Sequence, residues 1–159
     1  MKVYTEQEYK SKAEAYCSSA EHCTSEVKQK LKLWGASEEQ VHAIVTYLTH
    51  ERFIDDMRYS RAFVRDKYRF AKWGRMKIVQ SLKQKNISSE CIAQALSAID
   101  EDEYKQGLKD LLRQKRKSVS GKNQYERNAK LIRFAVGKGF LIEEVLCFVK
   151  QEDWNEYMD

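Results

Sequence analysis

Apolar residues return at every third or fourth position along most of the chain, which is the spacing of one face of an α-helix. Tyr9, Ala13 and Tyr16 share such a face near the start, and a stripe of the same period runs from Val41 to Leu48. The chain has no proline and only 6 glycines among its 159 residues. Because proline would end helices and glycine would interrupt them, this composition favours helices with few breaks. The pattern therefore predicts an all-α fold.

Capping and turn residues divide this pattern into helices. Gly35 is the residue type that most readily ends a helix in the left-handed conformation. Ser37 and Gln40 form an S-x-x-Q capping box for the next helix, and Asp55 or Asp56 can cap the helix after that. The predicted helices cover residues 5–17, 25–34, 38–51, 56–72, 75–85, 89–99, 101–118, 124–136 and 142–156.

One pattern occurs three times along the chain. A shift of 51 residues, followed by one of 53, places Gly35 on Asn86 and then on Gly139, with apolar residues aligned on both sides. Glycine and asparagine are the residues that best tolerate the positive φ of such a turn. We therefore predict three tandem three-helix repeats, over residues 1–50, 51–100 and 101–159. Because each repeat would contact mainly its neighbours, we expect an elongated, curved molecule.

Positive charge is concentrated in the middle of the chain. The net charge is +5, but residues 61–140 alone carry 20 Lys or Arg and 8 Asp or Glu. With about 100° per residue, five cations of the predicted helix 56–72 fall within an arc roughly 80° wide. We call them the first basic stripe: Arg58, Arg61, Arg65, Arg69 and Lys72. The apolar residues that lie away from this arc are Tyr59, Phe63, Val64, Tyr68, Phe70 and Ala71.

A second basic stripe follows on the predicted helix 101–118, opposite its apolar residues. It consists of Lys105, Lys109, Arg113, Arg116 and Lys117. The loop from Lys115 to Lys122, KRKSVSGK, suggests a mobile cationic arm. With Arg75 and Lys122, the stripes make up the candidate partner-binding and DNA-binding residues. A solvated helix face and a flexible linker are the alternatives, and the first repeat has no stripe.

The sequence offers little for catalysis or for holding a cofactor. It has no glycine-rich phosphate loop and no H-E-x-x-H motif. The acidic clusters at Asp55 and Asp56 and at residues 100–103 lie where helices begin, so capping explains them better than metal binding. Four scattered cysteines without a CxxC pair favour buried free thiols over disulfides or zinc. We predict neither an enzyme nor a bound cofactor or metal.

Other features bear on location and on the mode of binding. No apolar run approaches the ~20 residues that span a bilayer, and the start of the chain lacks the apolar core of a secretory signal, so a cytoplasmic protein is expected. Trp73 could stack on an unpaired base, although packing under a helix junction is the alternative for it, as for Trp34 and Trp154. A helix-turn-helix interpretation is disfavoured because the would-be recognition helix after Ser88 lacks Lys and Arg.

The stretch from Glu51 to Ile87 resembles the central signature of the RecX family. The matching residues are Glu51-Arg52-Phe53-Ile54-Asp55-Asp56, Arg58-Tyr59, Arg61-Ala62-Phe63-Val64, Gly74-Arg75, Ile78, Leu82 and Lys85-Asn86-Ile87. The triplicated helices extend the resemblance over most of the chain. The chain departs from the family at two positions. Family members often have proline at the position of Arg75 and glycine at the position of Asn86.

The resemblance implies a non-enzymatic modulator of the RecA recombinase. Such a protein binds in the groove of the RecA filament on DNA and alters ATP hydrolysis, strand exchange or filament stability, in most relatives as an inhibitor. The basic stripes could contact DNA phosphates weakly and without sequence preference, acidic RecA surfaces, or both. A monomer is expected. The alternatives are a nucleic-acid-binding helical module that acts without RecA and a helical scaffold for another protein.

Overall fold

A computed structural model describes residues 3–149. Every regular element in this range is a helix, and the helices labelled α1 to α8 are Glu6–Ser19, Thr24–Trp34, Glu38–His50, Asp56–Arg69, Arg75–Gln84, Ser89–Ser97, Glu101–Arg116 and Gln124–Gly137. A ninth, α9, covers residues 142–149. The predicted all-α fold, with three successive sets of three helices, is confirmed. Residues 150–156 of the last predicted helix, and Trp154, lie outside the described residues.

The two longest predicted helices end earlier than expected. α4 ends at Arg69 because Lys72 takes a left-handed φ of 57°, and the Trp73 N–H then donates to the Lys67 carbonyl at 2.9 Å. Phe70 consequently leaves the apolar face on which it was predicted, and 79% of it is exposed. α7 likewise ends at Arg116 instead of residue 118.

The turn residues aligned by the repeat have the predicted conformation. Gly35 and Gly139 both have φ of 103°, and Asn86 has φ of 58°. Ser37 and Gln40 form the predicted capping box, with the Ser37 hydroxyl accepting from the Gln40 N–H at 3.2 Å. The equivalence of the three turns is therefore present in the backbone and not only in the sequence.

The chain divides into two compact units. One comprises Met1–Ala62 and Leu82–Ala93, and the other comprises Phe63–Ser81 and Gln94–Asp159. Each unit is described by itself below as the first and the second unit. The repeat boundaries at residues 50 and 100 stay a prediction.

The core of the first unit is built from α1, α2 and α3, together with one residue of the segment before α4. It consists of Tyr9, Ala13, Val27, Leu31, Val41, Ile44, Val45, Leu48 and Ile54. Trp34 is half-buried against this cluster, as the core interpretation predicted. Of the free cysteines, only Cys23 is fully buried, while Cys147 is exposed, so the expectation of buried thiols holds for one of the four.

Acidic side chains tie the first unit together at its helix starts. The Asp55 carboxylate accepts from the Arg58 N–H at 3.0 Å and caps α4. Asp56 accepts instead from the N–H (2.8 Å) and hydroxyl (3.0 Å) of Thr24, the first residue of α2. The two adjacent aspartates therefore serve two different helices.

Glu26 links α2 to the turn after α5 within the first unit. Its carboxylate accepts from the Cys23 N–H at 3.1 Å and from the Lys85 ammonium at 3.2 Å. Burial alone would raise the pKa of Glu26, but these two interactions outweigh it and hold the pKa below its ordinary value. The Ser25 hydroxyl adds a hydrogen bond to the Lys85 carbonyl at 2.6 Å.

The second unit joins α5 to α8 through their backbones. The Gly74 N–H donates to the Lys138 carbonyl at 2.8 Å, and the Met76 N–H donates to the Gly139 carbonyl at 3.0 Å. A Cβ at Gly74 would lie 2.2 Å from the Gly139 carbonyl carbon, so only glycine fits there. The residue before α5 and the Met76 N–H in its first turn are thus hydrogen-bonded to the carbonyls that directly follow α8.

Candidate functional site

Four members of the first basic stripe lie on the exposed side of α4. Arg58, Arg61, Arg65 and Arg69 are all exposed, whereas the apolar residues Tyr59, Val64 and Tyr68 of the same helix are buried. The predicted separation into a packed face and a cationic face is therefore present in α4.

Lys72, the fifth member, does not extend the stripe along a helix. It lies beyond the end of α4 in the left-handed conformation. A Cβ at Gly107 of α7 would lie 3.5 Å from the Lys72 Cδ, so the aliphatic stem of Lys72 packs beside that glycine. The sequence pattern predicted Lys72 on the stripe because the 100° period was extended past the true end of the helix.

Arg58 is engaged inside the first unit. Its Nε lies 2.8 and 2.9 Å from the two carboxylate oxygens of Glu21, and its Nη2 donates to the carbonyl of Arg52 at 3.2 Å. The hydrogen bond with Glu21 raises the pKa of Arg58 above its ordinary value. This guanidinium therefore holds the start of α4 to the residues before α2.

Arg69 is engaged in the same way inside the second unit. Its Nε donates to Glu103 of α7 at 2.9 Å, and the Tyr68 hydroxyl donates to the same carboxylate at 3.2 Å. The hydrogen bonds with Tyr68 and Glu103 raise the pKa of Arg69. The acidic cluster at the start of α7 thus pairs with the stripe, and the Asp100 carboxylate also caps α7 by accepting from the Glu103 N–H at 3.0 Å.

The middle of the stripe differs from its ends. Within residues 3–149, Arg65 approaches only the carboxylate of Asp66, the next residue, at 3.8 Å. Arg61 makes no ion pair or side-chain hydrogen bond within residues 3–149. An exposed guanidinium without an internal partner keeps all five donors for another molecule, so Arg61 is the stripe residue best suited to binding. Arg65 follows it, because its one contact is long and is made to the adjacent residue.

The second basic stripe occupies the exposed side of α7, in the second unit. Lys105, Lys109 and Arg113 are exposed, Arg116 is half-buried, and Lys117 follows the helix. The Lys109 ammonium lies 5.2 Å from the centre of the Phe148 ring, and Arg113 contacts Asp110 at 3.5 Å. Opposite the stripe, the buried residues of α7 are Tyr104, Gly107, Leu108 and Leu112.

Arg75 has extensive partners inside the second unit. Its guanidinium pairs with Glu101 and, at 3.6 Å, with Glu144, and it lies 4.0 Å from the centre of the Tyr104 ring. Its backbone N–H donates to the Tyr104 hydroxyl at 3.0 Å. Arg75 therefore fastens the start of α5 to α7 and α9, a role that a charge count could not reveal.

The loop after α7 is anchored and does not form a free arm. The Lys130 ammonium donates to the Ser120 carbonyl at 2.6 Å, and Arg127 donates to the Gly121 carbonyl at 3.1 Å. The Lys122 N–H donates to Glu126 at 3.2 Å. Three side chains of α8 thus hold the loop that the sequence had predicted to be mobile.

This anchoring creates a cleft that the sequence did not predict. It has a volume of about 520 Å³ and is lined by Lys115, Ser118, Val119, Ser120, Lys130, Arg133 and Phe134. The Lys115 ammonium lies 4.6 Å from the centre of the Phe134 ring. Lys130 and Arg133 are three residues apart on α8 and so share one face. This spacing is the sequence signal that could have indicated a cationic face on α8.

Trp73 is half-buried and packed within the second unit. Its ring centre lies 6.2 Å from that of Phe63, and the ammonium groups of Lys67 and Lys77 lie 4.6 and 4.3 Å from it. These contacts fit packing at the helix junction better than an open stacking platform.

Within residues 3–149, no group of three His, Cys, Asp or Glu side chains is arranged to hold a metal ion. No helix in the same range is long and apolar enough to cross a bilayer.

Comparison with known proteins relates this arrangement to one family. A family model described as "RecX, second three-helix domain" matches residues 55–96. The protein named Regulatory protein RecX from Clostridium tetani is 34% identical over 123 residues, which are 76% of this chain and 56% of that protein. The Regulatory protein RecX from Vibrio parahaemolyticus is 28% identical, with 86% of each chain covered. The chain therefore spans little more than half of the clostridial relative.

Two crystal structures have the same fold. One, titled as regulatory protein RecX, matches with a TM-score of 0.80 at 25% identity, covering 92% of this chain and 73% of that one. The other, RecX from Lactobacillus salivarius, matches with a TM-score of 0.79 at 20% identity, covering 94% and 97%. These structures are similar over nearly the whole described chain.

Proposed function

The chain belongs to the RecX family, and from this premise we propose that it binds the RecA filament on DNA and restrains RecA. It acts without catalysing a reaction, by limiting ATP hydrolysis, strand exchange and the stability of the filament. The names of its relatives describe regulatory proteins, which supports a role exerted through binding.

The observation that carries the proposal is the set of exposed cations without strong internal partners. On α4 these are Arg61 and Arg65, and on α7 the clearest is Lys105, which makes no ion pair within the described part of the chain. Such groups can neutralise the phosphates of filament-bound DNA and release counterions. They can equally pair with carboxylates on RecA, in which case electrostatic attraction speeds the encounter.

The test is the DNA-dependent ATPase of RecA on single-stranded DNA, titrated with this protein up to one copy per RecA. We expect a progressive fall in the rate of ATP hydrolysis. The double variant Arg61→Glu with Arg65→Glu should weaken this effect, because it replaces attraction by repulsion at the two least engaged positions of α4. An unchanged rate through stoichiometric addition would refute the proposal.

A matched control separates the stripe from net charge. Lys28 is an exposed cation of α2 outside both stripes, so the double variant Lys28→Glu with Lys32→Glu changes net charge equally. We expect it to retain most of the inhibition. Arg69 is unsuitable for charge reversal, because a glutamate there would face Glu103 and disturb the second unit.

The alternative function is a nucleic-acid-binding module that acts without RecA. It predicts tight binding to bare DNA with steep salt dependence and no effect on RecA beyond competition for DNA. Adding excess DNA in the ATPase assay distinguishes the two: competition for DNA would be relieved, whereas direct filament binding would persist.

A further inference from the structure

The cleft between the loop after α7 and helix α8 concentrates positive charge. Lys115, Lys130 and Arg133 line it from two elements, and among the described residues that line it there is no carboxylate. Like charges held around one cavity repel one another, and a bound anion would relieve that repulsion. The cleft thus differs from the sites of Arg58, Arg69 and Arg75, whose charges are already balanced by glutamates.

The neighbouring carboxylate does not neutralise the cleft. Glu126 lies about one turn before Lys130 on α8, but it accepts from the Lys122 backbone N–H at 3.2 Å and does not line the cavity. Arg133 is exposed and makes no ion pair within residues 3–149. Its planar set of donors therefore remains available for a ligand.

The geometry of the cleft is set before any ligand arrives. Lys130 and Arg127 hold the loop carbonyls of Ser120 and Gly121, and the Ser118 N–H donates to the Lys115 carbonyl at 3.0 Å. A loop anchored in this way needs little further ordering when it binds, which favours affinity. The hydroxyl-bearing residues Ser118 and Ser120 also line the cavity.

We propose that this cleft binds a phosphate group of a nucleic-acid backbone, without reading the bases. A phosphodiester offers two non-bridging acceptor oxygens that share one negative charge, and these suit an Arg fork and Lys ammonium groups. The volume of about 520 Å³ leaves room for the adjoining sugars. The Phe134 ring is engaged by Lys115, with the Lys138 ammonium 5.8 Å from its centre, so we assign it no stacking role.

This inference rests on the DNA-contacting part of the proposed function and gives it a location outside both basic stripes. It is tested without RecA, so its failure would leave the proposed effect on RecA standing. Conversely, loss of the RecA effect would leave binding of bare nucleic acid in place.

The experiment measures the affinity of the full chain for a fluorescein-labelled 20-nucleotide single strand by anisotropy, at several salt concentrations. Arg133→Gln should raise Kd about tenfold at low salt, the effect of losing one charge-assisted hydrogen bond. It should also reduce the salt slope by about 0.7. Lys28→Gln removes an equal charge elsewhere and should change Kd less than twofold. Circular dichroism checks that both variants are folded.

A second measurement locates the contact. Titration of the ¹⁵N-labelled chain with the hexanucleotide dT6 should shift the amide resonances of residues 118–122 and 130–134 more than those of α4. The assignment is overturned if Arg133→Gln and Lys28→Gln lose affinity equally, or if the shifts map to α4 alone. It is also overturned if Arg133→Gln weakens binding of a labelled poly-glutamate peptide but not of the oligonucleotide, which would make the cleft a protein-binding site.

Discussion

Replacing Gly139 by alanine tests the backbone contact that joins α5 and α8. Gly139 has φ of 103°, and a Cβ there would lie 2.5 Å from the Lys77 Cβ and 2.8 Å from the Gly74 carbonyl oxygen. The neighbouring backbone and a side-chain stem cannot rotate away as a flexible side-chain tip could. Alanine at this φ is strained, and its Cβ must also separate the two helix ends.

The size of the effect follows from these two costs. A left-handed conformation costs a non-glycine residue roughly 1–2 kcal/mol. Separation would break the hydrogen bonds from the N–H groups of Gly74 and Met76, at about 0.5–1.5 kcal/mol each. Together they lower the free energy of unfolding by about 2–5 kcal/mol. At roughly 2–4 °C per kcal/mol for a chain of this size, Tm should fall by about 4–20 °C.

Gly137 provides the matched control two residues away. It is the last residue of α8, and a Cβ there would meet nothing within 4 Å. Alanine should be tolerated and should stabilise by up to about 1 kcal/mol, because it is the better helix former and restricts the unfolded chain. The two glycine-to-alanine changes are therefore expected to have opposite signs.

Thermal unfolding followed by circular dichroism gives Tm for both variants. Amide hydrogen exchange then reports the contact itself, since the Gly74 and Met76 amides should exchange much faster in Gly139→Ala. A Tm for Gly139→Ala within about 1 °C of that of the parent chain would contradict this prediction. So would a Gly137→Ala variant that is destabilised as much as Gly139→Ala.

Three further predictions concern single side chains. Glu26→Gln should flatten the acid side of the stability profile. A carboxylate with a lowered pKa stabilises the fold above about pH 4.3 and loses this contribution as pH falls through its folded pKa. Tm measured from pH 7 to pH 3 should therefore drop less in the variant than in the parent chain. Arg75→Ala should lower the free energy of unfolding in urea by about 1–2 kcal/mol, because the contact with Tyr104 and the exposed ion pairs are lost, and an unchanged midpoint would contradict it. Lys72→Gly should raise Tm slightly, by the equivalent of at most about 1 kcal/mol, because glycine adopts φ of 57° without strain. A lower Tm would show that the packing of the lysine stem contributes more than the backbone strain at this φ costs.

The fold could be predicted from the sequence because its signals are local. Helix faces, capping residues and the equivalent turns at Gly35, Asn86 and Gly139 depend on neighbours within about one turn, where propensity and hydrogen bonding decide the backbone. The errors fell at helix ends without such a signal. Nothing in the sequence marks Lys72 as left-handed, because the conformation is imposed by backbone hydrogen bonds that close the end of α4.

The candidate site could be predicted only in part, because the charge of a side chain does not show which residue of the same chain it pairs with. Periodicity placed the arginines of α4 on one face, but the glutamates that engage them come from distant positions. Glu21 is 37 residues from Arg58, and Glu103 is 34 residues from Arg69. Only the folded chain brings each pair together. The cleft around Arg133 was missed for the same reason, since its lining residues come from two helices and a loop.

Ion pairs within the chain determine at which cations a substitution gives an interpretable change in binding. Charge removal at Arg58, Arg69 or Arg75 takes away a partner of Glu21, Glu103 or Glu101 and so changes stability as well as any contact with another molecule. Arg61 and Arg133 have no ion pair within residues 3–149, so their replacement changes mainly the surface charge. A loss of RecA regulation on changing Arg61 together with a loss of DNA affinity on changing Arg133 would therefore assign the two contacts to different helices. The opposite pattern would exchange the assignments, and neither conclusion could be drawn from the paired arginines.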